Sequence, residues 1–445
     1  MEKSLIKKFA KYVSLNILGM IGLSLYILAD TYFVSKALGV TGLAALNLSI
    51  SIFSVINGIG LMIGVGGATR FSILKSQEKD KDASVVFSIA IKTGIIIGII
   101  FVIIGIFGTK HLALALGADT FTLPLTKTYL STILSFAPFF IVNNIILAFV
   151  RNDNNPKLSM IAMLIGSFSN VVLDYLFMFP LNMGMFGAAF ATGLAPIISI
   201  CILLILFINN KNVFVSLKNK LSWSLIADIF SLGLSAFIIE VSSAVVLITF
   251  NIVILGLEGN LGVASYGIVA NIALVGVAIF TGLAQGIQPL ISKYYGLERH
   301  ELVTKVRKYA LFTSIFIAII IYLGIFIYSE GIINIFNSEN NVDIAKMAEK
   351  GLRIYFLGFF FVGLNIVSAM YLSATENARD AFIISIARGI IIIVPLVLIL
   401  SKIWNMTGVW LSFVLTELIV TVLVVYLASA RKRFTIRNEV LNTIL

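Results

Sequence analysis

The chain has 445 residues, 59% of them hydrophobic and 12% charged, with a mean hydropathy of +1.06. No soluble domain has that balance, and the apolar runs do not alternate with polar residues, which excludes a β-barrel and leaves a polytopic helical membrane protein. The net charge of +11 would suit a nucleic-acid binder, but its distribution does not. Roughly 23 of the Lys and Arg residues fall in alternate connections and at the two ends, and roughly seven in the remaining connections. That is the positive-inside pattern, with both termini cytoplasmic at a plasma membrane. Basicity here reports topology and contact with anionic lipid.

The N-terminus, MEKSLIKKFAKY, is basic, but no small-residue cleavage site follows its apolar run. The first helix therefore reads as a retained span. One cysteine, Cys201, excludes a disulfide framework and reads as a packed core thiol. His111 and His300 lie in connecting segments and give no metal cluster.

Twelve spans fit, at about 12–36, 45–70, 85–107, 128–150, 158–179, 184–208, 226–256, 262–292, 309–328, 351–373, 381–402 and 406–429. RNDNNPK (151–157) is a turn in which an Asn/Asp cluster and Pro156 break the helix. Pro138, Pro196, Pro289 and Pro395 fall inside spans and predict kinks. SEGIINIFNSENNVDIAKMAEK, on the outer side, predicts a short amphipathic helix. The long polar stretch near the middle divides the chain into an N-terminal six-helix lobe (1–208), a cytoplasmic linker (209–225), a C-terminal six-helix lobe (226–430) and a basic cytoplasmic tail (431–445).

The halves repeat. GLMIGVGG (60–67) parallels GLAQGIQP (282–289), and AFVRNDNNPK (148–157) parallels MYLSATENAR (370–379), both at an offset of 222 residues. NMGMFGAAFAT (182–192) matches NMTGVWLSFVL (405–415) with a small indel. An even number of spans per half keeps the repeats in one orientation, related by an axis along the membrane normal with a cavity between them. That layout suits an alternating-access carrier.

The stretch from Asn170 to Thr192 carries the most informative polar residues. Asn170 and Asp174 are one turn apart on one helix face. Pro180, Asn182 and Gly184 make a turn, and Thr192 lies as far beyond it as Asp174 lies before it. At roughly 1.5 Å per residue both sit about 12 Å below the same membrane surface. An aspartate there is costly in lipid, so it faces a partner or a water-filled cavity.

The ordered set ADTYFVSKALGVTGLAALNLS in span one, NVVLDYLF in span five, GAAFAT in span six and GLSAFIIEVSSA in span seven resembles the MATE (multidrug and toxic compound extrusion) family. The proline-free first span resembles its MepA-like branch. The resemblance covers nearly the whole chain. It implies the MATE fold, two pseudo-symmetric six-helix bundles facing each other across a cleft. It also implies export of cationic or amphipathic compounds in exchange for Na⁺ or H⁺, with no cofactor and no catalysis. Matched residue by residue, the family's N-lobe cation site falls on Asp30, Asn170, Asp174 and Thr192. A glutamate used by other members matches Glu240. The aspartate that such members carry in span ten is missing: apolar residues surround Val362, with Asn365 nearby.

Helix counting alone puts Asp30 about eight residues from the outer end of span one, again roughly 12 Å deep. Oxygen ligands at one depth suit Na⁺, and two close carboxylates suit a proton relay. The competing reading is that these residues only hydrogen-bond neighbouring helices. Glu240, near mid-membrane, reads either as a cation-binding carboxylate facing the cleft or as a neutral acid in packing. Gln285, Asn271 and Asn143 either line the cleft or join helices. Glu417 and Arg388 lie at similar depth and are expected to pair within the C-lobe.

Three rivals remain. A lipid-linked-precursor flippase of the same superfamily would hold pyrophosphate with several intramembrane Arg or Lys, and here only Lys92 and Arg388 lie within spans away from their ends. An intramembrane prenyltransferase would need a second Asp-rich stretch. A channel would not need the twofold repeat. The expected function is a monomeric antiporter of small organic cations with the bilayer as its only other partner, and no nucleic acid.

Overall fold

The computed structural model describes residues 2–208, 221–336 and 341–444, with side chains at 3–204, 221–334 and 341–430. The described residues fold as helices: α1 (Glu2–Ser76), α2 (Asp80–Phe107), α3 (Thr109–Ala115), α4 (Leu123–Ser135), α5 (Ala137–Asn152), α6 (Pro156–Met178), α7 (Gly184–Ile208), α8 (Trp223–Gly296), α9 (His300–Phe336), α10 (Val342–Tyr355), α11 (Phe359–Ala374), α12 (Ala378–Ile386) and α13 (Ile393–Ile444).

Helix α1 is 75 residues long, far more than the ~20 residues that cross a ~30 Å hydrocarbon layer. It turns back at Gly39 (φ 64°, ψ −155°), a backbone region that is essentially glycine-only. Helix α8, 74 residues long, turns at Gly259 (φ 60°, ψ −150°). Helix α13 breaks at Trp404 and Asn405. Helices α4 and α5 form one span bent by 49° beside Pro138. Helices α10 and α11, joined by a 3₁₀ turn at Phe356–Gly358, form another, and α12 runs into α13 through a π-helical turn at Ala387–Ile391. With these breaks counted, the described residues make twelve crossings.

The pseudo-symmetry is written in the turns. Among the described residues, the six non-glycine positions with positive φ fall into three pairs: Glu78 with Glu298, Asn154 with Glu376, and Asn182 with Asn405. Gly39 and Gly259 make a fourth pair, each member about 220 residues from its counterpart, as a duplicated bundle requires.

Each half has its own apolar core. One is built on Val34, Phe71, Ile89, Ile133, Phe149 and Ala188, the other on Phe250, Val269, Phe359, Val397 and Trp410. The halves interlock at the face that carries both chain ends, called the terminus face below. There Leu5, Phe9, Tyr12 and Val13 of α1 pack against Leu283, Ile287 and Val306 of the second half. In return, Ile226 and Ile229 at the start of α8 pack into the first core. The second and seventh spans cross at backbone contact: a Cβ on Gly66 would meet Ile229 O at 1.9 Å, and one on Gly233 would meet Met62 O at 1.8 Å.

The amphipathic helix expected after span nine is present as α10, which leads into span ten; Asn341 caps it by accepting from the Asp343 and Ile344 amides. Cys201 is exposed on α7 rather than packed in a core, because an apolar run in a membrane needs no buried face. Of the segment 209–225 read as a linker, residues 209–220 lie outside the described part, and α8 begins at Trp223. The tail continues α13 as helix to Ile444.

Candidate functional site

The break at Gly39 and the turn at Pro180–Gly184 fold α1, α6 and α7 so that Asp30, Asn170, Asp174 and Thr192 converge inside the first half. All four are buried, Asn170 and Asp174 fully. The Asn170 amide spans the gap between α6 and α7. Oriented to satisfy both ends, its Nδ2 donates to Asp174 Oδ2 at 3.0 Å and its oxygen accepts from the Thr192 amide at 3.2 Å. The charges of Asp30 and Asp174 lie close enough to interact. Asp30 Oδ1 and Asp174 Oδ1 are buried without a hydrogen-bond partner. Two orphaned carboxylate oxygens, an amide oxygen and a hydroxyl make a set of hard oxygen donors, which fits a small cation or shared protons. Among the described residues no group of three or more His, Cys, Asp or Glu comes together, so this set is a pair of carboxylates supplemented by neutral oxygens.

Two tyrosines join the site that sequence reading passed over. The Tyr129 hydroxyl, from α4, lies beside Thr192 and near both aspartates. Tyr26, one turn before Asp30, feels Asp30, Asp174 and also Glu240. Its i,i+4 spacing to Asp30 was the available signal; for Tyr129 only the tertiary fold supplies one.

Glu240 lies on the other half, facing this site across the seam between the halves. Its Oε1 accepts from Asn57 Nδ2 at 2.9 Å, and Asn57 Oδ1 accepts from Asn144 Nδ2 at 2.7 Å. One carboxylate on α8 is thus tied, through Asn57, to two spans of the first half, and Tyr26 lies near both it and the aspartates. Asn143, beside Asn144, is half-buried and its Oδ1 has no partner. Asn271 is half-buried on α8. Gln285 does not stand free to meet a ligand. It is buried in the seam, where its Oε1 accepts from Arg151 Nη1 at 2.7 Å.

In the second half, the expected pair is present. Arg388 Nε donates to Glu417 Oε1 at 2.6 Å, and Asn365 Nδ2 donates to Glu417 Oε2 at 2.7 Å. Thr421 Oγ1 closes the cluster on Asn365 Oδ1 at 3.0 Å. The guanidinium already supplies a cation here, so this carboxylate is neutralised from within.

Toward the terminus face the seam becomes continuous. Arg151 also donates to Asn16 Oδ1 at 3.0 Å, Asn152 Nδ2 donates to Gln288 Oε1 at 2.7 Å, and Gln288 Nε2 donates to Thr69 Oγ1 at 2.8 Å. Arg70 pairs with both Asp228 (2.7 Å) and Glu376 (2.5 Å). Ser373 Oγ donates to Leu232 O at 2.5 Å. Apart from Arg151–Asn16 and Ser373–Leu232, which lie within one half, these bonds join the halves from mid-membrane to the terminus face.

A duplicated six-span bundle with a buried acidic site in one half and a seam closed toward one face defines a membrane carrier rather than a pore or a catalyst. The MatE family model matches residues 16–176 and 236–399, and the chain belongs to that family, whose members are transporters and not enzymes. It is 28% identical over 444 residues to the multidrug export protein MepA of Staphylococcus saprophyticus, covering 98% of this chain and 96% of that one. It is also 28% identical over 442 residues to MepA of Staphylococcus aureus strain MSSA476, with the same coverage. Among solved structures, a multidrug resistance MATE family transporter of the MOP superfamily in an outward-facing conformation superposes with a TM-score of 0.89 at 22% identity, over 96% of this chain and 95% of that one. A MATE in complex with MaL6 superposes with a TM-score of 0.90 at 22% identity, over 96% of each chain.

Proposed function

We propose that this protein is a secondary active exporter of cationic or amphipathic small molecules, working by alternating access and driven by inward movement of Na⁺ or H⁺ through Asp30, Asn170, Asp174 and Thr192. The observation that carries the coupling site is the pair of buried carboxylates that each leave one oxygen without a donor. A carboxylate buried in a membrane is costly unless it is paired or functional, and these two have no internal cation of the kind that Arg388 gives Glu417. The export direction follows the two MepA relatives, which align over 98% of the chain.

In this reading the terminus face is cytoplasmic, in keeping with its Lys and Arg excess, and the closed seam corresponds to the state open to the outside. Ion entry at Asp30 and Asp174 draws span one toward spans five and six and releases cargo outward. Opening of the seam then returns the ion to the cytoplasm and admits new cargo. Each charge moving inward gains about 2.3 kcal/mol per 100 mV. Glu240 is the cleft carboxylate that meets cationic cargo, with the amides of Asn143 and Asn271 as neutral polar lining. Its tie to Asn57 is broken when cargo binds or the halves separate, so cargo competes with a half-to-half bond. The protein works as a monomer in the plasma membrane, without nucleic acid or an organic cofactor.

The test is transport by the purified chain in proteoliposomes, with a Na⁺ gradient and a pH gradient imposed separately and a fluorescent cation such as ethidium as cargo. Concentrative export under one of the two supports the reading and names the ion. Export driven by neither would sink it in favour of a facilitator or flippase.

A further inference from the structure

Beside the seam, on the terminus face, lies a cavity of about 200 Å³, more than ten times the ~15 Å³ that one water needs. Its wall comes from both halves and three elements: Lys8, Lys11 and Tyr12 of α1, Asn154 of the α5–α6 turn, and Lys293 and Tyr294 at the end of α8. Three ammonium groups and two phenol hydroxyls thus surround one concavity, and no carboxylate lines it. The neighbouring acid, Asp153, is committed to Lys75. Among the described residues, none of Lys8, Lys11 and Lys293 is in a salt bridge.

Gathering like charges around a cavity costs energy unless something of opposite charge enters it. The cost is visible at Lys293, which stands just past the eighth span. Burial, and then the charges of Lys8 and Lys75, hold its amine below the ordinary lysine value. The second cavity on this face is different, because Arg307 there shares its wall with Asp380.

We propose that this cavity is a binding site for a phosphate-bearing anion, held by Lys8, Lys11 and Lys293 and by the Tyr12 and Tyr294 hydroxyls, which bridges the two halves on the terminus face. Its depth at the ends of spans one and eight is that of a headgroup layer, and the same chemistry accepts an anionic phospholipid headgroup or a soluble phosphate. Because Lys8 and Lys11 approach from one side of the cavity and Lys293 from the other, an occupant adds a contact to the closed seam that is lost when the seam opens. Occupancy therefore favours the closed-seam state.

The experiment uses the full chain in detergent, with the thermal unfolding midpoint followed while phosphatidylglycerol, phosphatidylcholine or inorganic pyrophosphate is titrated. Saturable stabilisation by phosphatidylglycerol but not phosphatidylcholine is expected, with apparent affinity falling about fivefold for each lysine changed to Gln and about a hundredfold for Lys8→Gln/Lys11→Gln/Lys293→Gln. Pyrophosphate acting as well as phosphatidylglycerol assigns a soluble anion, and pyrophosphate without effect assigns the lipid headgroup. Lys79→Gln/Lys81→Gln/Lys157→Gln, at exposed positions at the starts of α2 and α6, serves as the charge-matched control and should leave the affinity unchanged. The proposal fails if that control loses as much affinity, if the triple variant responds like the parent, or if no anion stabilises the parent. The bridging claim is read separately from spin labels at Gln77→Cys and Glu298→Cys in a Cys201→Ser background, where saturating anion should enrich the short distance. An unchanged distribution overturns the bridge. None of these readouts depends on transport.

Discussion

Asp30 and Asp174 keep two carboxylate oxygens buried and unmatched, and this sets them apart from every other intramembrane acid here. Glu240 is bonded to Asn57, and Glu417 to Arg388 and Asn365. Asp174→Asn keeps the volume and removes the ionisable group, so the fold should tolerate it while coupled export falls at least tenfold. Export at parental rate with an intact thermal midpoint would remove Asp174 from the mechanism. Arg388→Met should behave in the opposite way. It strands Glu417, whose side chain is 2% exposed, and breaking such a pair costs about 3–5 kcal/mol. A large drop in thermal midpoint is expected, substantially recovered in Arg388→Met/Glu417→Gln; no recovery would mean that the charge is not the cause. Asp30, Asp174 and Thr192 were legible as one level because depth in a membrane is a matter of counting residues from a helix end, Asn170 by its one-turn spacing from Asp174, and the four as one set through the family resemblance. Tyr129 was not, since nothing in its own span points to Thr192. Gln285 read equally as a cleft residue or a helix joiner, and only its Arg151 partner decides which.

The spans are made from a few long helices broken at chosen residues, and each break has a local cause. Gly39 and Gly259 adopt a backbone that an L-residue enters only with strain. Gly39→Ala and Gly259→Ala should each destabilise by about 1–3 kcal/mol. Gly267→Ala, in a helix with nothing within 4 Å of the added methyl, should be neutral or slightly stabilising. Equal midpoints for all three would refute the strain argument. The third break uses Asn405 at φ 48° and ψ −135° in place of glycine, so Asn405→Gly should relieve strain and leave stability equal or higher. Most breaks were readable beforehand, because Gly, Pro and Asn announce them. The amphipathic Val342–Tyr355 stretch was readable as a helix but not as the end of a span. Whether such a helix lies on the surface or enters the bundle depends on what it packs against, here the Val269 and Trp410 neighbourhood beside Gly351.

At the scale of the molecule, the two halves are joined by few strong bonds. Arg70 makes ion pairs with Asp228 and Glu376, all about a third exposed, so each pair is worth about 1 kcal/mol or less. A seam held this lightly can open on a transport timescale. Arg70→Gln should raise the population of open seam by roughly fivefold per pair lost. Thr69→Cys, buried in the parent against Gln288 of the other half, should react faster with a thiol reagent in that background. No acceleration would show that Arg70 does not hold the seam. The repeat and the twelve crossings were visible in the sequence as short matches and apolar runs, whereas the seam was not. Its partners, such as Thr69 and Gln288, sit on different halves, and no periodicity relates them.

The interlocked ends also have a consequence for how the chain is made. Leu5, Phe9, Tyr12 and Val13 emerge first, yet the surface that buries them, Leu283 to Val306, is synthesised more than half a chain later. The first helix therefore waits, half-docked, until the second half has inserted. A polypeptide ending at residue 208 should be open to proteolysis near Phe9, and coexpression of residues 221–445 should protect it.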